Sequence, residues 1–557
     1  MSAVRILSYA GFAWASFVAG AMPFARSQDG ELSPRFRPFA AAVAEKARGN
    51  LEASVPAACY TRTDGRWNPC WTCHTKSHPP NHRNDSDLQK QYSFSAFALT
   101  NRWTNLFSDL GAAADRISDE SCVSYVQQDN LTGLRESLLA AARYPGYVPD
   151  IELHGGFDAH GFARDGSGWR ALRFKPFPGT FWPTNGSTND VMIRLPVRFR
   201  LDSNGEESLD VYRANLSILE AAIARPAPIS EDVPQPHREV EPLSETQLGC
   251  DIDGDGKTHG VATWIARSPE RYLGGAAPIA VVPGQYPAGT EFLHTVRYLD
   301  PGRPDFKSLR LKELRYMRKE VALSDPEVRI QYAAEAREKE RGELPSYPGS
   351  AVAGLRNRFG WRVQGFIEDE HGWLRLQTRE EHEYCMGCHG SLGVTVDSTF
   401  SFARKIPGSE GWQPQDLRGQ RDVRQLGHEH GEIWTYFDRA GAGDEFRANR
   451  ELSERFRTES GWDDSALRRA EPGGDLDLAA MLYPTRARAL RLNKVYWAIV
   501  QRQSFRAGRE TYADPPRQVR ESVAPESTGL LEAGRTYDDG RLWLDWPSRS
   551  ATSTSPR

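Results

Sequence analysis

The chain has 557 residues, with 70 Lys and Arg against 74 Asp and Glu, a formal charge of −4 and 39% hydrophobic residues. That length and composition suit folded material with two or three cores. A near-neutral chain offers no counter-field to a phosphate backbone, which excludes nucleic acid as a partner.

At the start, Arg5 precedes an apolar stretch from Ile6 to about Ala21, and small residues then offer cleavage after Ala21 or Ala25. This reads as a signal peptide over residues 1–25, since the stretch is short for a spanning helix. No later run is long and apolar enough to cross a bilayer. The expectation is a periplasmic or extracellular protein with no transmembrane segment after cleavage.

Residues 26–143 form the first module expected. It opens with a short helix from Arg35 to Lys46, followed by a loop from Cys59 to His82 that contains Cys70-Trp71-Thr72-Cys73-His74. Helices are expected from Phe94 to Leu110 and from Asn130 to Ala141. A loop- and strand-rich region spans 144–305. Its glycine- and proline-rich start holds His154, His160 and Arg164, and VMIRLPVRFR (191–200) alternates as a strand does. A helix runs from about Leu209 to Ala224, and GTEFLHTVRYL places His294 in a strand. Between these, Asp251, Asp253 and Asp255, with Lys257 through its carbonyl, present oxygens on alternate residues around glycines. That arrangement resembles the first half of an EF-hand loop and makes a candidate calcium turn, although Ala262 stands where the bidentate Glu would be.

The third segment, 306–460, starts with SLRLKELRYMRKE (308–320), expected as an amphipathic helix, and a charged helix from Pro326 to Arg341. It continues to Cys385-Met386-Gly387-Cys388-His389. In 461–557 a helix from Thr485 to Arg506 carries the stripe Leu492, Val495, Tyr496 and Ile499, and an extended tail follows. The fold expected is mostly α with irregular loops around the two strings, plus a β-containing middle region, in a multi-domain chain.

Two C-x-x-C-H strings in an exported chain of seven cysteines are the strongest chemical signal. The spacing lets two thiols add to the vinyl groups of one porphyrin edge while the next imidazole takes the iron. Cys70, Cys73, Cys385 and Cys388 are then attachment points, and His74 and His389 proximal ligands. Zinc bound by two Cys-x-x-Cys halves, or a redox dithiol, is the competing chemistry. The pair of strings resembles those of dihaem c-type cytochromes, over about a tenth of the chain, and implies two covalent haems c.

Candidates for the distal positions are His154 and His160 for the first string, His428 and His430 for the second, and His294. Met192, Met317 and Met481 read as core residues. Cys59 and Cys122 are candidates for a disulfide, with Cys250 left single.

Three functions follow as expectations. The first is electron transfer between donor and acceptor proteins. The second is a peroxidase-like haem oxidoreductase with one open iron, for which His154, His160, Arg164, His428, Glu429 and His430 are candidate acid, base or cation groups, and Trp182 and Trp434 candidate relays. The third is a haem-bearing subunit of a larger complex.

Overall fold

The computed structural model describes residues 38–39, 41–42, 48–65, 67, 69–74, 94–141, 143–224, 238–265, 269–441, 447–524 and 543–547. The expected leader, most of the 35–46 helix, His78, His82 and His237 lie outside these residues.

Alternating side chains organise the architecture. The strands among the described residues are β1 (Arg170–Leu172), β2 (Thr188–Arg194), β3 (Arg238–Ser244), β4 (Val261–Ile265), β5 (Glu291–Leu299), β6 (Lys307–Lys319), β7 (Gly349–Ser350), β8 (Gly354–Arg356), β9 (Trp361–Glu368) and β10 (Leu374–Leu376), with a short pair β11 (Arg457–Thr458) and β12 (Gly461–Trp462). Eight of them form one antiparallel sheet in the order β1-β2-β5-β6-β9-β8-β7, with β10 also on β9. β3 and β4 pair separately. This corrects the expectation of a mostly α protein, since helix accounts for 32% and strand for 19%, and the large sheet is the central layer.

Register decides what each face carries, because neighbours along a strand point to opposite sides. One row across the sheet runs Val191, His294, Arg315, Gly365, and the next runs Asn189, Val296, Glu313, Ile367. Residues one step out of phase, including Met192, Leu293, Leu314, Tyr316 and Phe366, join a core on the other face with Leu134 and Leu138. These two leucines come from the helix Thr132–Ala140. Tyr147 stacks on Tyr316 in the same layer, with ring centroids 3.8 Å apart.

The segment 308–320 is the clearest local correction, because the expected amphipathic helix is the long strand β6. Its charges imitate a solvated helix face, yet Arg310, Lys312, Glu313 and Lys319 are buried and bonded across the fold. Arg310 donates to Glu368 (2.6 Å), Lys319 to Asp397 (2.5 Å) and Lys312 to the Gly186 carbonyl (2.7 Å). Residues 94–110 are likewise turns with one 3-10 stretch, Thr104–Phe107, instead of a helix. Here Asn105 Nδ2 donates to the Ser504 and Gly508 carbonyls, and Trp103 Nε1 to that of Val55, so long-range bonds replace helical ones. The strand expected over 191–200 ends at Arg194, ahead of Pro196, and a 3-10 turn follows at Val197–Phe199. The helices Leu209–Ala224, Asp325–Glu340 and Arg486–Arg502 stand where they were expected, and the last buries Leu492, Val495, Tyr496 and Ile499.

Buried ion pairs join distant parts of the chain on the other side of the sheet. Lys175 Nζ lies 2.7 Å from Glu432 and 3.0 Å from Asp422, and Arg404 Nη1 donates to Glu432 at 2.9 Å. Burial alone would raise the Glu432 carboxyl, but Arg404 and Lys175 outweigh it and hold the group well below the ordinary carboxylate range. A carboxyl depressed in the folded state adds stability above its unfolded pKa and loses that contribution in acid. Replacing it leaves the buried Arg404 without its carboxylate, while Lys175 keeps Asp422, and breaking a buried pair in this way costs about 3–5 kcal/mol. Glu432→Gln is therefore expected to lower unfolding free energy by about that much at pH 7, and urea titrations should show the gap to wild type narrowing as pH falls below the ordinary carboxylate range.

Candidate functional site

The second string sits at the end of the helix Arg379–Met386, whose start is fixed by a reciprocal bond pair between Thr378 and Glu381. Cys385 occupies its last turn, and Gly387, Cys388 and His389 follow. A Cβ at Gly387 would lie 2.1 Å from the Ser54 carbonyl oxygen, so glycine is what lets the string pack on that backbone. His389 Nδ1 is 2.9 Å from the Ser398 carbonyl and donates to it, which orients the ring and leaves Nε2 with its lone pair. Burial lowers this imidazole to about 4 against the opposing pull of that bond, so the ring is neutral.

The first string forms the short helix Cys70–Cys73, and the His74 amide donates to the Cys70 carbonyl at 2.9 Å. Although far apart in sequence, the two strings meet. The Cys59 thiol is pushed well above its ordinary value by burial first and then by Cys70, Cys73 and Cys388, which places all four thiols in one neighbourhood. Cys73, Cys385 and Cys388 line a common cavity. What draws them together is the segment before Cys59. The Gly49 and Asn50 amides donate to the Glu380 carboxylate at 2.8 and 3.0 Å, and Arg48 pairs with Glu383 at 3.2 Å. Both acids belong to the helix that carries the second string.

The cavity measures about 290 Å³ and is mainly apolar, with Phe174, Phe177, Phe181 and Phe400 among its walls. Part of its lining is one face of the sheet, where His294 and Arg315 are direct cross-strand partners. Burial lowers the His294 imidazole to about 3, with Arg315 and His389 adding to the effect. Asn189 Nδ2 donates to His294 Nε2 at 3.1 Å, and the Phe181 ring meets the imidazole edge-on at 5.0 Å. Under this face Glu313 accepts from Arg315 Nε (3.0 Å), Arg509 Nη1 (2.9 Å) and Gln377 Nε2 (3.0 Å). Burial would raise Glu313, yet the two guanidiniums bring it down to about 2. Lys312, which also lines the cavity, is lowered by burial to about 7.

Cys70, Cys73, His74, Cys385, Cys388, His389 and His294 are thus gathered at or beside the cavity. His154, His160 and Arg164 are exposed: His154 lies 3.8 Å from Asp129, and Arg164 Nε donates to the Phe157 carbonyl. His428 and His430 precede the helix Glu432–Ala440 and are not in the cavity wall. The His430 ring packs on Trp434 at 3.7 Å, and Glu429 is a surface residue. Trp182 packs edge-on against Tyr436 in a core. In the acidic turn, Asp251 spends its carboxylate on the Gly254 and Gly256 amides, and Lys257 pairs with Asp255. The acids brought within one ligand distance of each other are Glu245, Asp253 and Asp255. Cys59 and Cys122 are both free thiols, and Cys122 lies near Asn493 and Lys494 instead. Sequence reading missed Arg315, Arg509, Glu313 and Asn189. Only the alternation in EFLHTVRYL hinted at a strand face on which such groups could align.

A family model described as "-like lipoprotein" matches residues 43–469. An uncharacterized lipoprotein of Aquifex aeolicus (strain VF5) is 33% identical over 563 residues, covering 88% of this chain and 92% of that protein. No solved structure matches. The chain belongs to this lipoprotein family. Kinship with c-type cytochromes, expected from the two strings, is thereby corrected, and with it the electron-transport class that such kinship would have carried: the match over most of the chain is to lipoproteins. Membership agrees with export, and among the described residues no helix is long and apolar enough to cross a membrane.

The geometry around Cys59 yields a chemical expectation. Cys59 is half-buried, and a thiol with a raised pKa has little thiolate at neutral pH and reacts slowly. Iodoacetamide at pH 7.5 should leave Cys59 intact in the native protein and modify it in guanidinium, as read by peptide mass mapping. Native alkylation at the rate of an exposed thiol would place the 54–59 segment elsewhere.

Proposed function

We propose that this exported lipoprotein-family protein holds two haems covalently, one at each C-x-x-C-H string, and exchanges electrons with redox partners in the periplasm or at the cell surface. The observation that carries the reading is the convergence of both strings on one apolar cavity, with Cys73, Cys385, Cys388 and His389 in its wall. The proposal concerns the chemistry of these residues and leaves the family as stated.

The donor set fits such a group. Cys70 with Cys73, and Cys385 with Cys388, would supply the thioethers, and His74 and His389 the proximal nitrogens. The Ser398 carbonyl already fixes the His389 tautomer, so Nε2 is the nitrogen available to a metal. Aromatic walls keep water out, and Tyr384, beside Arg315 and Arg509, closes the same side. A bound haem supplies reversible one-electron chemistry at its iron. For the second string, His294 shares the cavity with His389 and would be the other histidine available to the group.

One observation favours a second reading, an oxidoreductase with an open iron at the second string. His294 Nε2 is already engaged by Asn189, and Arg315 stands directly across the strand pair. An imidazole engaged by an amide beside a fixed cation would be suited to moving a proton, with the cation stabilising a departing anion.

Acid–acetone extraction followed by the pyridine haemochrome assay tests the common claim. Two haems per chain should stay with the polypeptide, and replacing Cys385 and Cys388 by serine should leave one. Loss of all colour on extraction, or zinc in place of iron, would sink the proposal. Carbon monoxide added to the reduced protein then separates the two readings: an unchanged spectrum means six-coordinate electron carriers, whereas a shift that Cys385→Ser abolishes means an open second site.

A further inference from the structure

We infer that Arg315 and Arg509 form a binding site for an anionic oxygen group, a carboxylate or a small oxyanion, inside the cavity. Both residues line it. Arg509 is 8% exposed, and the Arg315 side chain keeps 12% of its surface. Each takes its charge partner from the same Glu313 oxygen, Oε2. The next carboxylate, Glu381, is held by both nitrogens of the Arg375 fork at 2.9 and 3.0 Å, and offers Arg509 only its backbone carbonyl, 2.8 Å from Nη2. Three guanidiniums therefore share two buried carboxylates.

Arg509 Nε is a second, independent sign, being buried with no hydrogen-bond partner. A buried donor with no acceptor is costly unless something answers it. Glu313 takes the charge of Arg509 through Nη1 and leaves this nitrogen unmet, and the other neighbours do not meet it. His294 is neutral, and Lys312 adds positive charge when protonated. Glu510 is half-buried, and its carboxylate is engaged by the Tyr384 hydroxyl at 3.2 Å and by the Arg509 amide at 3.1 Å. One unmet guanidinium N–H beside a second guanidinium suits an oxygen that carries negative charge, which is the ligand chemistry this pair selects.

That anion has two sources. One is a carboxylate borne by a porphyrin held as proposed above, and this source rests on that reading. The other is a free small anion, which does not. The exported full chain is titrated calorimetrically with acetate at pH 7, with chloride as reference, and redox-titrated, as wild type, Arg315→Gln, Arg509→Gln and Arg509→Lys. Two haems, no acetate binding and a lower midpoint potential in both glutamine variants support the site with a porphyrin carboxylate in it. Saturable acetate binding that weakens at least tenfold in Arg509→Gln supports it with a free anion, and the same result in protein without haem removes the proposed function while leaving this site standing. If the glutamine variants do not fold, Arg509→Lys decides, because it keeps the charge and loses the fork: a changed midpoint, or acetate binding weakened at least threefold, supports the site. Acetate binding and midpoint potential that are both indifferent to the substitutions overturn it.

Discussion

The cavity depends on one buried carboxylate, Glu313. It stands on β6 and holds Arg315 two residues along the same strand, Arg509 from beyond the helix Arg486–Arg502, and Gln377 from the approach to the second string. Isolated, each of these guanidiniums would be too costly to bury; bound to a common acid they become structural elements that fix where the strand, the C-terminal segment and the string-bearing helix meet. Arg509 extends the tie to the Glu381 carbonyl on that helix, and Thr511 continues it by donating to the Asn185 carbonyl near β2. Glu313 and these bonds thus tie the strand, the C-terminal segment and the string-bearing helix together at the cavity.

The same economy explains how two remote strings share one site. Neither short helix can bury its cysteines alone. Glu380 and Glu383 on the second helix accept amides and an arginine from residues 48–50, which sets the following backbone against Gly387. Pro56 and Ala58 then enter the cavity wall, with Cys59 next to them. The aromatic side chains fill what remains, and the sheet supplies a rigid floor on which His294 and Arg315 are held by strand register instead of by loop conformation.

How much of this was legible in the sequence follows from the range of the interactions involved. Helices with a strong three-and-four stripe, such as Arg486–Arg502, and apolar, β-branched and aromatic runs, such as β5, were readable because their signal is local. β6 was not. Arg310, Lys312, Glu313 and Lys319 look like a solvated helix until Glu368, Gly186, Arg509 and Asp397 are found beside them, and each partner is far away in the chain. The cysteine strings were legible as chemistry for the opposite reason, since five adjacent residues contain the whole pattern. Among the histidines outside the strings, His294 was placed in a strand from its neighbours alone, and it lines the cavity, whereas His428 and His430 are not in the cavity wall and the His430 ring packs on Trp434 near Glu471.

The lipoprotein kinship and the cysteine strings answer different questions, and the structure indicates why they need not agree. The family match runs over residues 43–469, a range that holds the sheet and both strings. A C-x-x-C-H string occupies only five positions of that range. Its chemistry depends on a few atoms: two thiols, one imidazole nitrogen held in the right tautomer, and an apolar wall. A scaffold that places Glu313, His294 and the 48–59 segment around one cavity can therefore belong wholly to a lipoprotein family and still present a site whose chemistry the family's name does not describe. The C-terminal contribution sharpens the point, because Arg509 lies beyond the matched region and yet completes the charge arrangement within it.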